Sequence, residues 1–460
     1  MLRQCRRQKG SRPSCNKAGR GGKSSEAIGN TAFGEKRHRG LFWVNDNQDS
    51  GDFGGDFGVP GYLPYADEDA NMLGGLASVP AFSTTGVHYV FDHTYSVHGR
   101  RDLVDYFSVY LNLGSLFQSN ALSAGISVTD TSYHFVLSQA DRALRFVYTD
   151  LTPTNYMNYL WDTNESGALA DAIAWPIYPT GIVLNDSAIT SPNNFVNDVA
   201  ANNGVIILVE AATNTTQPLV LTIYHGTNQI AQTSLSISIS GVEQMFRNKT
   251  MYLNSAPVTV PDRLTDASVP NEPDTIEKNF VFMHGYNVNT NESRGVAADM
   301  YKRMYWSGSH ARFWAVTWEG ADSKISDKFT PNYHTNVVDA FNTAPLLANF
   351  ITSLTNSGPV VAAAHSLGNM LTLSAINDWH APISQYFMMD AAVPIEAIDP
   401  ASTSESFMTF STWAGYSNRL FAADWYKLFP TNDARSTLFW NNRLGNLGSV
   451  DVYNFYSLSS

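Results

Sequence analysis

The pattern of apolar and polar positions changes character near residue 279. Before it, short apolar runs predict strands at Ser132–Leu137, Ala143–Tyr148, Val205–Val209 and Leu219–Tyr224. Ser234–Ile239 alternates with a strict period of two, the signature of a strand with one buried face. Asn214–Pro218 and His225–Gln229 supply turn residues between these runs, the second of hairpin type. Short strands with regular turns predict a sandwich-like all-β domain over residues 120–253. Pro257, Pro261, Pro270 and Pro273 among polar residues mark 254–278 as an interdomain linker.

From Asn279 onward strands and helices alternate. Phe280–Met283, Arg312–Trp318, Pro359–Ala364 and Tyr386–Met389 are near-continuous apolar runs, as expected of strands buried on both faces. Helices are predicted at about Ser293–Tyr305, at Val337–Leu354, and from the Ser366 region to about Trp379. Successive βα units imply a mostly parallel sheet with right-handed crossovers, so the fold class over residues 279–460 is α/β, preceded by the all-β domain. Residues 400–448 break the pattern with Trp413, Tyr416, Trp425 and Trp440 amid polar residues, which suggests a cap inserted over an active site. Val450–Tyr456 is one more strand.

Residues 1–40 carry 11 Lys and Arg against 2 Asp and Glu, a net charge of +9, while the remainder carries 18 against 39, a net of −21. The basic leader lacks interleaved aromatics before Phe33, so it reads as a disordered segment rather than a nucleic-acid arm. An acidic body would repel a phosphate backbone, so nucleic acid is not expected as a partner. No apolar run reaches the roughly 18 residues of a membrane helix, and no apolar stretch of signal-peptide type follows the basic start. An extracytoplasmic location is suspected all the same.

Cys5 and Cys15 both fall in the leader, which removes disulfides, thiolate metal sites and a Cys nucleophile from residues 41–460. Residues 41–119 open with the apolar Leu41–Val44 and continue into a Gly/Asp-rich tract. Asp46, Asp49 and Asp52 stand there at spacings near those of a calcium loop, but the glycine falls one place late and no bidentate Glu closes it. An acidic surface turn needs nothing more than these residues. No other cofactor is implied.

The chemistry concentrates at Ala364-His365-Ser366-Leu367-Gly368. Small residues flank a serine between an apolar strand and a helix, the pattern of a nucleophile elbow with Ala in place of the first Gly. Some 80 residues upstream, His284-Gly285 ends the first strand, where one oxyanion-hole amide arises in such folds. The N–H groups of Tyr286 and Leu367 are therefore the candidate oxyanion donors. His284, Gly285, His365 and Gly368 support the loop and the elbow, with His284 structural rather than catalytic. The His-Gly-Tyr-Asn-Val-Asn and Ala-His-Ser-Leu-Gly-Asn blocks resemble those of bacterial α/β-hydrolases of unknown function with a His-Gly-Phe-Asn-type loop, and more distantly those of lipases and esterases. The resemblance covers roughly residues 279–395. It implies a serine hydrolase of ester or acyl substrates, small-molecule or lipid, acting through an acyl-enzyme.

The departure from that pattern is the base. The triad order is Ser, then Asp or Glu, then His, and this sequence has no His after His380. Asp390, after the next strand, is the best acid in view, although a helix N-cap or a hydrogen-bonded strand-end carboxylate would use the same residue. The economical expectation is a chain that is part of a longer frame carrying the histidine. The competing expectation is an inactive hydrolase-like module of a large surface or adhesive protein.

Overall fold

The computed structural model describes residues 41–43, 89–90, 106–113, 130–148, 173–176, 182–184, 195–253, 278–320, 333–399 and 426–456, apart from scattered positions within and between those ranges. The leader, the Gly/Asp tract with Asp46, Asp49 and Asp52, nearly all of the 254–278 linker, and residues 401–425 of the inserted segment lie outside the described residues.

Six strands form a wholly parallel sheet. In chain order they are β1 (Arg247–Met251), β2 (Asn279–Met283), β3 (Arg312–Trp318), β4 (Val360–His365), β5 (Ile383–Met389) and β6 (Asp451–Phe455). Their spatial order is β1-β3-β2-β4-β5-β6. The helices are α1 (Thr290–Trp306), α2 (Tyr333–Leu354) and α3 (Gly368–Asn377). The chain moves outward one way from β2 to β3 and the other way from β4 to β6. The β2/β4 junction is thus the switch point, the place where open sheets of this kind bind ligands beyond the carboxyl ends of their strands.

Why these strands read as unbroken apolar runs is visible in β2. Val281 and Met283 face α2 and α3 in one core, while Phe282 faces a second core shared with α1. Both faces are covered, so neither set of alternate positions can be polar.

Two antiparallel sheets precede this unit. One orders Asn228–Leu235, Leu219–His225, Tyr133–Ser138 and Ile182–Val183. The other has five strands, among them Leu144–Tyr148, Val205–Ala211 and Phe107–Leu111. Phe135, Leu221, Ile207 and Leu144 bury into one cluster between them. The expected hairpin is present: His225 pairs with Asn228, and Gly226 takes the turn at a φ of 60°.

Several boundaries differ from those the sequence suggested. Arg247–Met251, expected inside the β domain, is instead the β1 edge strand of the parallel sheet, paired residue by residue with Arg247↔Trp314 through Met251↔Trp318. Its polar RNKTM composition hides it, since an edge strand needs no continuous apolar run. Phe107–Leu111, expected to lie before the β domain, pairs with Val205–Ala211 inside it. The single strand expected at Ser234–Ile239 is two, Asn228–Leu235 and Ser238–Ser240.

Among the described residues the β region and the parallel unit share one core. The cluster of the β region runs continuously into Val296, Ala297, Tyr305 and Phe313 of the parallel unit. Trp43 sits at the seam with no solvent exposure, its ring 4.5 Å from Phe107, 5.3 Å from Tyr305 and 6.0 Å from Trp306. Arg294 on α1 adds a two-pronged ion pair to Glu243, at 2.6 and 2.7 Å.

The described end of the inserted segment also departs from a cap. Trp440 and Leu444 bury against α2 and α3, with Trp440 5.5 Å from Phe341. Arg443 lays its guanidinium 3.9 Å over the Phe341 ring. The crossover from β5 to β6 must return along the sheet, and these residues fill the helical layer on the way. Among the described residues no helix is long and apolar enough to cross a membrane.

Candidate functional site

Ser366 sits at the tip between β4 and α3 with a φ of 48°. A left-handed φ at a non-glycine residue costs on the order of 1–3 kcal/mol and persists only when its surroundings enforce it. Here they do. The Ser366 N–H donates to the Met389 carbonyl at 3.0 Å, and its carbonyl accepts from the N–H groups of Asn369 and Ala392, each at 3.1 Å. At about 1 kcal/mol net per hydrogen bond, these contacts are of the size needed to offset the strain.

The elbow is pressed against the end of β2. A Cβ on Gly285 would lie 2.9 Å from the Ser366 Cβ, and one on Gly368 would lie 2.5 Å from the His284 carbonyl oxygen. Only glycine permits that approach. The smallness of this motif therefore serves the contact between two loops as well as the turn itself.

His284 is buried and uses both ring nitrogens. Nε2 accepts from the Trp318 backbone N–H at 3.1 Å, so Nδ1 carries the proton and donates to the Gly285 carbonyl at 3.0 Å. The Trp318 indole N–H donates back to the His284 carbonyl at 3.0 Å, and the two rings stack 5.6 Å apart. Burial pushes the imidazole down to about 4, and nearby His365 pushes the same way against the pull of the Gly285 carbonyl. The Gly285 carbonyl is thus turned toward the imidazole. Across the planar trans peptide, the Tyr286 N–H must face away from it.

Leu367 is buried, and among the described residues no backbone carbonyl accepts from its N–H. The Tyr286 ring meets Tyr333, at the start of α2, edge to face at 5.0 Å. Burial raises the Tyr333 phenol, and Tyr286 beside it adds to the effect.

Asp390 ends β5 on the strand next to Ser366 and is exposed. Its φ is 41°, and its N–H donates to the Phe455 carbonyl at 2.8 Å. Residues 391–394 after it are irregular, so no described helix starts there for it to cap. Burial lowers the His365 imidazole, while the Asp390 carboxylate opposes that shift. Ser366, His365, Gly285, Tyr286 and Asp390 therefore all gather at the carboxyl end of the sheet. His380 does not. It precedes β5 at the opposite edge, separated from the Ser366 end by the strand, about 20 Å.

Trp318 and Asn369 are the partners that sequence reasoning left without a role. The register shows why the first meets His284: Met283 pairs with Val316, so Trp318 lies two residues further on, beside the loop that follows β2. Among the described residues no group of three or more His, Cys, Asp or Glu is arranged to hold a metal ion.

No family model matches the chain, and no curated protein matches it. Among solved structures it is similar to a thermostable esterase, with 11% identity over 76% of this chain and 87% of that one and a TM-score of 0.23. It is also similar to a family 39 glycoside hydrolase from the gut symbiont Bacteroides cellulosilyticus WH2, with 7% identity over 58% and 48% of the two chains and a TM-score of 0.17. At these scores neither likeness carries an argument. The α/β class rests on the strand order and on the strand-turn-helix at Ser366.

Proposed function

We propose that the protein is a serine hydrolase of ester or acyl substrates. The observation that carries this reading is the strained Ser366, raised at the switch point of a parallel sheet with the Gly285 loop packed against its Cβ. In this reading Ser366 Oγ bonds to the acyl carbon, and the developing oxyanion is held by the N–H groups of Tyr286 and Leu367. Collapse breaks the ester C–O bond, the alcohol leaves with a proton, and water then cleaves the acyl-enzyme. Asp390 is the acid. Neither His284 nor His380 is assigned as the base, because His284 has both nitrogens committed and His380 lies at the other end of β5, and His365 is read as the elbow residue whose ring lies by Gly285.

That last observation favours a second reading, an inactive hydrolase-like module whose β region does the binding. One experiment separates the two. The full chain is treated with a fluorophosphonate probe alongside Ser366→Ala. Labelling of the unsubstituted chain that vanishes in the variant supports the hydrolase. Equal labelling of both proteins, or of neither, removes it.

A further inference from the structure

The Ser366 backbone is held by more than its own strand. Besides the two backbone donors, its carbonyl accepts from Nδ2 of Asn369 at 2.9 Å. The same Nδ2 reaches the Met389 carbonyl at 3.4 Å. Oδ1 of Asn369 accepts from the Tyr386 hydroxyl at 2.6 Å. Asn369 and Tyr386 both have no solvent exposure. Met389 and Ala392, the other ends of these bonds, flank Asp390 with its left-handed φ.

We infer that Asn369 and Tyr386 are positioning residues that lock the backbone of Ser366 to the turn carrying Asp390, so that nucleophile and acid are held as one unit. The catalytic meaning of the lock rests on the hydrolase reading. The lock itself rests on the geometry alone.

The chemistry of the amide makes the case. An amide has a donor end and an acceptor end, and two carbonyls require the donor end here. A flipped Asn369 would aim its oxygen at both of them. The Tyr386 O–H meets the acceptor end and so fixes the orientation. Residues Gly368–Ile376 are all buried; Thr372 donates to its own helix at the Gly368 carbonyl, and Ser374 bonds Asp378 one turn on. Asn369 is the polar side chain of α3 that ties the Ser366 and Met389 carbonyls together, and Thr372 also meets the Tyr386 hydroxyl.

The test uses the full chain with Tyr386→Phe, which removes one hydroxyl, and Asn369→Leu, which removes both ends of the amide. Amide hydrogen exchange is followed in peptides covering 364–370, 389–393 and, as a reference, β2. The expected result is exchange about tenfold faster at the elbow and at the Asp390 turn with β2 unchanged. Turnover of an activated ester should lose about tenfold or more in kcat with KM unchanged. Exchange unchanged at the elbow, or rising equally in β2, overturns the inference, as does an unchanged kcat per folded molecule. If Asn369→Leu does not fold, Tyr386→Phe carries the test. If the unsubstituted chain neither turns over nor labels, it is the hydrolase reading that falls, and the exchange pattern still decides the lock.

Discussion

Trp318 grips His284 from both sides: its backbone N–H donates to the imidazole Nε2 at 3.1 Å, and its indole N–H donates to the His284 carbonyl at 3.0 Å. The first bond needs a lone pair on Nε2, so the ring must stay neutral. Its folded pKa of about 4 lies below the ordinary value near 6.5. Between these values the unfolded chain binds the proton and the folded chain does not. Stability is therefore complete above pH 6.5 and is lost as pH falls toward 4, by roughly 3 kcal/mol from this ring. His365, lowered in the same direction, adds to the trend. Denaturant titrations at pH 7 and pH 4.5 should show the loss, and His284→Gln should flatten it. A pH dependence unchanged by that substitution would mean the ring titrates freely.

The two glycines test the contact between the end of β2 and the elbow. Gly368→Ala drives a Cβ to 2.5 Å from the His284 carbonyl oxygen and 2.9 Å from that of Met283. Backbone cannot swing aside as a side chain can, so β2 and the elbow must part. The expected cost is about 1–3 kcal/mol, read as a lower denaturation midpoint. Gly285→Ala meets the Ser366 Cβ at 2.9 Å, the His365 ring at 3.0 Å and the His365 carbonyl oxygen at 3.1 Å. It should lower the midpoint too, and slow fluorophosphonate labelling of Ser366 per folded molecule. Labelling at the parent rate would show that the two loops are not in contact in solution.

The parallel unit was legible because its central strands are buried on both faces. Continuous apolar runs in β2 to β5 and a helix after each of β2, β3 and β4 carry the fold class, and β2 to β6 fall where the sequence places them. The elbow was legible for a related reason, since its small residues follow an apolar strand. What escaped was the polar edge strand Arg247–Met251 and the shared seam. Trp43 lies far along the chain from Tyr305 and Trp306, and no local pattern announces that they meet. The Asn369–Tyr386 bond escaped because a buried polar pair leaves no periodic trace.

That seam yields a prediction of its own. Cleavage within the Pro-rich stretch 254–277 should leave two fragments that stay together on size exclusion without denaturant, because they share one core. Trp43→Ala removes the ring at the centre of the seam and should cost about 3–5 kcal/mol. Fragments that separate and remain folded would restore the picture of two independent domains joined by a linker.

Asp390 gives the sharpest division between structure and chemistry. Its φ of 41° suits glycine and, to a lesser degree, asparagine. Asp390→Gly should therefore relieve strain and raise stability by up to about 1 kcal/mol, while Asp390→Asn should be nearly neutral. The hydrogen bond from the residue 390 N–H to Phe455 survives in both variants, so the turn should keep its shape. If the carboxylate is the triad acid, both variants lose activity, by a factor on the order of 10³–10⁴, without loss of fold. Gain of stability with loss of turnover is what a strained functional residue produces. Chemical denaturation and ester hydrolysis measured on the same samples would show it. Full turnover in both variants would move the acid elsewhere and leave Asp390 as a turn residue, held by its own bond to Phe455 and by those that tie Met389 and Ala392 to Ser366.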